Sequence, residues 1–297
     1  MPEVIDVNPF DLYGPEFLLF YFILSLVVVV ALIVLRRAAE SGEPPKADLS
    51  DPYLIAYLRG GEAEGLRVAL VSLIDRGLLT AEGTTVKQSG RASPAAVRRP
   101  IEQLLLKKFA TPGEASSIYD DPALKSACEK YRDTLQKVQL LPDATAVKMR
   151  WVRLTWAVLI LWGLGAAKIF VAISRGRHNI ELLIILMLVA AVIAAAVSFP
   201  RVTARGAAVL EDIKTLYAGL KERAALIHPG GATTEAVMLA AVFGVGALAG
   251  EAFSYTRQLF PRATSSSGSS CGSSCGSSCG SSCGGGGCGG GCGGCGS

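Results

Sequence analysis

The sequence predicts a mainly α membrane protein: three transmembrane helices, a small α+β cytoplasmic domain with winged-helix-like patterning, and a disordered Cys/Gly/Ser tail. Three observations lead there. Of 297 residues, 51% are hydrophobic and only 18% charged, with mean hydropathy +0.41, too apolar for a soluble protein of this size. The apolar residues gather in three stretches close to the roughly 20 residues that cross a bilayer as a helix. The end of the chain, from Ser265 to Ser297, contains only Gly, Ser and Cys.

The charge balance and the histidine count exclude several function classes. Twenty-nine basic residues against 25 acidic leave a net charge of +4, short of the cationic bias of a dedicated nucleic-acid binder. With only two histidines, His178 and His228, a His-rich metal site or a Ser-His-Asp triad lacks material. No Gly-Lys-Ser/Thr phosphate loop and no His-Glu-x-x-His helix occurs, so the chain reads as non-enzymatic.

The first span, residues 17–35, runs for 19 residues without a charge. The segment before it, residues 1–16, carries Glu3, Asp6, Asp11 and Glu16 and no cation, whereas Arg36 and Arg37 follow at once. The positive-inside rule therefore puts the N-terminus outside, and the missing cationic n-region makes the span a signal anchor instead of a cleaved leader. Residues 154–173 and 180–199 form a second and third span, a tight helical hairpin. Lys148, Arg150 and Arg153 precede it and Arg201 and Arg205 follow it, so both flanks belong on the cytoplasmic side. Trp151, Trp156 and Trp162 gather at the start of this hairpin, the outer two at the height of an interfacial belt. Lys168 and Glu181 lie near its outer end. A proton or ion relay is one reading of them; the simpler one is that Lys168 snorkels outward and pairs with Glu181.

Residues 38–148 are long enough for a small cytoplasmic domain and hold 15 basic and 15 acidic residues. Ser50 is placed to cap a helix started by Pro52 and stopped at Gly60-Gly61. A second helix runs from about Glu62 to Arg76, with Leu66, Ala69, Leu70, Leu73 and Ile74 on one face and Gly77 as its stop. Leu78-Leu79-Thr80, a turn at Glu82-Gly83 and Thr84 to Lys87 then read as a hairpin, giving the helix-plus-hairpin half of a winged helix. A weaker echo follows, with Ile101 to Phe109, a helix started at Asp121-Pro122, and Leu140-Leu141-Pro142 where Leu78-Leu79 stood, so two tandem units are expected. The candidate recognition helix carries Glu62, Glu64 and Asp75 against Arg67 and Arg76, which argues for docking of a protein partner over DNA contact. Cys128 reads as a small packing residue, with no nearby His to activate it.

Residues 200–262 are expected as a cytoplasmic helical segment. Thr203 caps an amphipathic helix whose apolar face is Leu210, Ile213, Leu216, Tyr217, Leu220 and Ile227, ended by His228-Pro229-Gly230-Gly231. The apolar run from Ala236 to Gly250 is about 22 Å long as a helix, against a hydrocarbon core of about 30 Å. It is expected to be buried or interfacial and packed on the preceding helix, a fourth crossing being the alternative.

The tail, residues 263–297, is expected to be a flexible coil about 30 Å from end to end. Its thiols are periodic: Cys271, Cys275, Cys279 and Cys283 recur every fourth residue, and Cys288, Cys292 and Cys295 follow in a Gly-rich end. Thiolates on a compliant backbone suit soft ions, so these seven cysteines are the candidate metal ligands and Cu(I) or Zn(II) the candidate cofactors. In the reducing cytosol they stay thiols. Gly-Ser-Cys tracts also resemble the substrate regions of ribosomal peptides whose Cys and Ser are cyclised to azoles, and a scaffold with an inert tail is a third reading.

The N-terminal anchor, the segment DPYLIAYLRGGEAEGLRVALVSLIDRGLL, the Arg-x-Thr-x-x-Gly stretch Arg201 to Gly206 and the SSCGSSCG…GGGCGGCG terminus together resemble an uncharacterised family of bacterial membrane proteins named for near-low-complexity Gly/Cys tails. The resemblance covers most of the chain in order. It implies the architecture and a bacterial plasma (inner) membrane location, and no activity or catalytic residue. Within it, Thr203 and Gly206 are expected to serve as a helix cap and a point of close packing.

Overall fold

A computed structural model describes residues 14–40, 42, 50–90, 97–174, 181–224, 235–248 and 253–261. The described chain is mainly helical with one small three-stranded sheet. Three helices are long and apolar enough to cross a membrane: α1 (Gly14–Glu40), α6 (Ala144–Ser174) and α7 (Glu181–Ser198).

These three helices pack along seams whose residues recur at three- and four-residue steps, the spacing that keeps one face of a helix on its neighbour. The seams are Phe17, Tyr21, Ser25 and Leu32 on α1, Leu154, Ala157, Leu161 and Gly165 on α6, and Leu183, Met187, Ala190 and Ala194 on α7. Small residues let the backbones approach: a Cβ on Gly165 would stand 2.5 Å from the Met187 sulfur. The Tyr21 hydroxyl is buried and donates to the Leu161 carbonyl at 3.1 Å, since an unpaired hydroxyl among apolar side chains is costly. The outward faces expose Leu19, Phe22, Ile23, Leu159, Ile185 and Val192. Helix α6 begins at Ala144, ten residues before the expected span, because Asp143 accepts from the Ala146 amide at 2.8 Å and nothing between there and Leu154 breaks a helix.

The domain begins with α2 (Pro52–Gly60), and here the expected cap moves by one residue. Asp51, not Ser50, accepts from the Tyr53 amide at 3.0 Å, because Pro52 occupies the first helical position and the cap is the residue before it. Gly61 ends the helix at φ +73° and the chain turns directly into α3 (Glu62–Asp75). The strands β1 (Leu79–Glu82) and β2 (Thr85–Gln88) pair antiparallel from Leu79↔Gln88 to Glu82↔Thr85, so the turn is Gly83-Thr84, one residue later than expected. Next come α4 (Pro100–Lys108), the two-residue β3 (Gly113–Glu114), a 3-10 turn at Ala115–Tyr119, and α5 (Pro122–Lys137), capped by Asp121. The second hairpin does not follow. After Leu140-Leu141-Pro142 the chain enters α6, and β3 instead extends the first hairpin through Thr85↔Glu114, giving the order β1-β2-β3.

The segment after α7 completes this domain. The expected amphipathic helix is interrupted at Tyr217 into α8 (Ala204–Leu216) and α9 (Ala218–Glu222), and the break turns Leu216 outward, 77% exposed, away from the expected buried face. Ile227 lies outside the described residues. Then come α10 (Glu235–Phe243), a 3-10 turn at Val245–Ala247 and α11 (Tyr255–Leu259). Helix α10 is buried, as its apolar composition predicted, but its main partners are α2 and α3, with α8 and α9 touching it less. Helix α3 is enclosed by α10 together with α2, α4, α5 and β1, and Val68 and Val71 are as buried as Leu66, Leu70 and Leu73. One core therefore runs from Tyr53 through Leu70, Val86 and Leu105 to Leu239, Val242 and Phe260.

Candidate functional site

The seven cysteines expected to bind metal, from Cys271 to Cys295, lie outside the described residues, as do His178 and His228. Among the described residues no group of three or more His, Cys, Asp or Glu side chains is arranged to hold a metal ion. Cys128 is buried in the domain core, and burial, with a smaller effect from Glu62, pushes its thiol up to about 12. At that value it carries almost no thiolate at neutral pH and packs as a small apolar residue.

The densest polar arrangement lies where the three long helices meet the domain. Glu40, the last residue of α1, receives the Arg150 guanidinium at 2.6 and 2.9 Å on Oε1 and the Ala204 amide at 3.1 Å on Oε2. Arg150 also donates to the Pro200 carbonyl at 2.8 Å, and the two side chains are only 4% and 9% exposed. Because Ala204 is the first residue of α8, the carboxylate sits on that helix's N-terminal amides, where negative charge is favoured. One ion pair thus joins the ends of α1, α6 and α7 to the start of α8. Around it, Arg36 donates to the Val197 carbonyl in the last turn of α7 at 2.7 Å and Arg153 to the Leu35 carbonyl of α1 at 3.2 Å, so side-chain donors tie the three helices together at the cationic end of the bundle.

Thr203 and Gly206 belong to the same junction. The Thr203 side chain accepts from the Gly206 amide at 3.1 Å, capping α8, and its amide donates to the Leu140 carbonyl at 3.2 Å. Gly206 lies so close to that carbonyl that a Cβ would collide with it. Arg201, the first residue of the same stretch, lays its guanidinium where a Cβ on Gly61 would stand. The Arg201 to Gly206 stretch therefore touches both the α2–α3 corner and the α5–α6 connection.

A second cluster fastens the C-terminal segment. Arg59 donates to the last-turn carbonyls of α10, Ala241 at 2.9 Å and Ala240 at 3.4 Å. Glu64 bridges Arg59 and Arg67, and Arg67 donates to the Tyr119 hydroxyl at 2.8 Å while lying 5.8 Å from the Phe260 ring centroid. Glu64 and Arg67 of α3 are thus engaged inside the domain.

A third arrangement lines a cleft of about 430 Å³ between α2, α4 and α10. Glu102 on its floor is buried, accepting from the Tyr53 hydroxyl and from Arg76 at 3.1 Å. Arg99 pairs with Asp51 at 2.9 Å and lies 4.6 Å from the Tyr53 ring centroid. Burial first, then the Glu102 carboxylate, raise the Tyr53 phenol well above its ordinary range, so it remains a donor. In the bundle, Lys168 Nζ stands 4.6 Å from the Phe17 ring centroid, a cation–π contact with α1 that sequence spacing did not foresee.

Of these residues, sequence reasoning missed Glu40 and the cluster around Glu64. In the sequence Glu40 shows only as an acid four residues after Arg36, and nothing beside it names Arg150 or Ala204 as its partners. No family model, curated protein or solved structure matches this chain.

Proposed function

We propose that the chain is a non-enzymatic bacterial plasma-membrane protein, N-terminus outside, whose cytoplasmic tail binds or senses a soft metal ion, Cu(I) or Zn(II), through Cys271, Cys275, Cys279, Cys283, Cys288, Cys292 and Cys295. The observation that carries this reading is the position of α11. Phe253, Leu259 and Phe260 are buried in the core that contains α2 and α3, and α11 packs on β1. The last described residue, Pro261, follows α11 on this domain body, so in this reading the tail departs on the side of the bundle where Arg36, Arg150 and Arg153 cluster. By the positive-inside rule that side is the reducing cytoplasm, which keeps seven thiols available as soft ligands.

The domain serves in this reading as the tail's anchor and as a docking platform for a protein partner. Its α2–α3 corner and hairpin support a winged-helix-like description. The inward engagement of Arg67 and the cover that α10 lays over α3 favour protein contact over DNA, since a recognition helix needs a free cationic face. The resemblance to bacterial membrane proteins with Gly/Cys tails belongs to the same proposal, and two of the four stretches that carry it, Asp51 to Leu79 and Arg201 to Gly206, meet at Gly61.

The test is copper and zinc content of the protein isolated from its own host, with and without residues 265–297. The expected result is bound metal that disappears with the tail and on thiol alkylation. A metal-free tail that has lost mass at Cys and Ser would replace this reading with azole modification. An unmodified, metal-free tail would leave the scaffold reading.

A further inference from the structure

The cationic end of the bundle carries more charge than its internal contacts use. Arg150 is spent on Glu40 and Pro200, and Arg36 and Arg153 on carbonyls. Arg37 and Lys148, by contrast, are exposed and have no ion-pair partner among the described residues. Arg150 meets Glu40 and Pro200 at one height, which on the reading of the three helices as membrane spans lies within the interfacial zone. Lys148 lies two residues, about 3 Å, beyond that height, and Arg37 three residues, about 4.5 Å, inside it, at the 1.5 Å rise of a helix. At the same height Met149 and Trp151 turn large apolar surface outward, 56% and 58% exposed. Helix α6, with 31 residues, is about 46 Å long against an apolar layer of about 30 Å, so part of it extends past that layer, and its first turns are the part that carries Lys148 and Arg150. At the opposite end of the bundle, the first turns of α1 and α7 carry exposed Glu16 and Glu181.

We infer that Arg37 and Lys148 form a headgroup-binding rim that selects anionic glycerophospholipids. The chemistry recognised is a phosphate of net negative charge, contacted by a guanidinium and an ammonium, with acyl chains against Met149 and Trp151. Zwitterionic lipids present the same phosphate with a compensating ammonium and gain less from the rim. The inference rests on the reading of α1, α6 and α7 as membrane spans.

The test uses the full-length protein in vesicles of mixed phosphatidylglycerol and phosphatidylcholine, extracted in mild detergent, with co-purifying lipid counted by mass spectrometry. Flotation of wild-type protein with pure phosphatidylcholine vesicles checks membrane insertion separately, so a failure of the spans and a failure of the rim are distinguishable. With each surface cation worth about a fivefold preference, the wild type should retain phosphatidylglycerol about tenfold or more above the bulk ratio. The double variant Arg37→Gln/Lys148→Gln should fall back towards the bulk ratio while floating normally, and the charge-conserving Arg37→Lys/Lys148→Arg should keep the preference. Lys107→Gln/Lys125→Gln, which removes two exposed cations from α4 and α5, should leave it unchanged. A wild type without preference, a preference that survives Arg37→Gln/Lys148→Gln, or an equal loss in Lys107→Gln/Lys125→Gln overturns the inference. So does loss of the retained lipid to excess inorganic phosphate, which would make the rim a site for the free ion.

Discussion

At the scale of single residues, the Glu40 carboxylate carries the greatest burden. Its two oxygens hold a guanidinium from α6 and an amide from α8, and both partners of the ion pair are almost wholly enclosed. Removing one member of such a pair leaves the other charged and buried, which typically costs about 3–5 kcal/mol, whereas replacing both with apolar groups can be nearly neutral. Glu40→Ala should therefore lower stability by about 3 kcal/mol in chemical denaturation of the detergent-solubilised protein. Glu40→Leu combined with Arg150→Met should recover most of that loss. A Glu40→Ala protein as stable as wild type would mean that the pair is solvated. Thr203 and Gly206 were legible beforehand because a cap and a small residue advertise themselves locally. Glu40 was not, since its partners are 110 and 164 positions away and no local pattern names them.

Among the elements, α10 decides how the C-terminal third is understood. A run of apolar residues that is short of a bilayer's thickness fits either a buried helix or a compressed crossing, and composition alone left both open. The structure resolves the choice through packing: Leu239, Ala240, Ala241 and Val242 are all fully buried against α2 and α3. Ala240 is fully buried in this core, so Ala240→Leu should overpack it and cost about 1–3 kcal/mol, read as a lowered denaturation midpoint. On a helix facing lipid the same change would be neutral, and that result would sink the assignment. The burial of α3 on both sides was illegible for a related reason. Its periodic face at Leu66, Leu70 and Leu73 was visible in the sequence, but one of the elements that encloses α3, α10, comes from a segment that follows α6 and α7.

For the whole molecule, the domain is assembled from two stretches of chain separated by α6 and α7. Residues on either side of that hairpin share one core, and the two cut ends are adjacent, with the Thr203 amide 3.2 Å from the Leu140 carbonyl. A chain in which residues 143–200 are replaced by a short Gly-Ser linker, and from which α1 is removed, should give a soluble protein with a single cooperative melt. Residues 50–142 alone should expose the α10-facing side of α3 and bind a hydrophobic dye without a cooperative transition. A cooperative melt for that shorter piece would show that the later segment is an accessory and not part of the core.

On the proposed reading of α6 and α7 as membrane spans with both flanks on one side, this arrangement imposes an order on biogenesis. While the ribosome is still making the hairpin, the first half of the domain has already emerged with half of its central helix unclad. It can reach its final form only after the hairpin has been handed to the insertion machinery and the polypeptide has returned to the same compartment. A nascent chain whose hairpin stalls during insertion would stay sticky and open to proteases, so the fold carries its own quality check on delivery to the membrane.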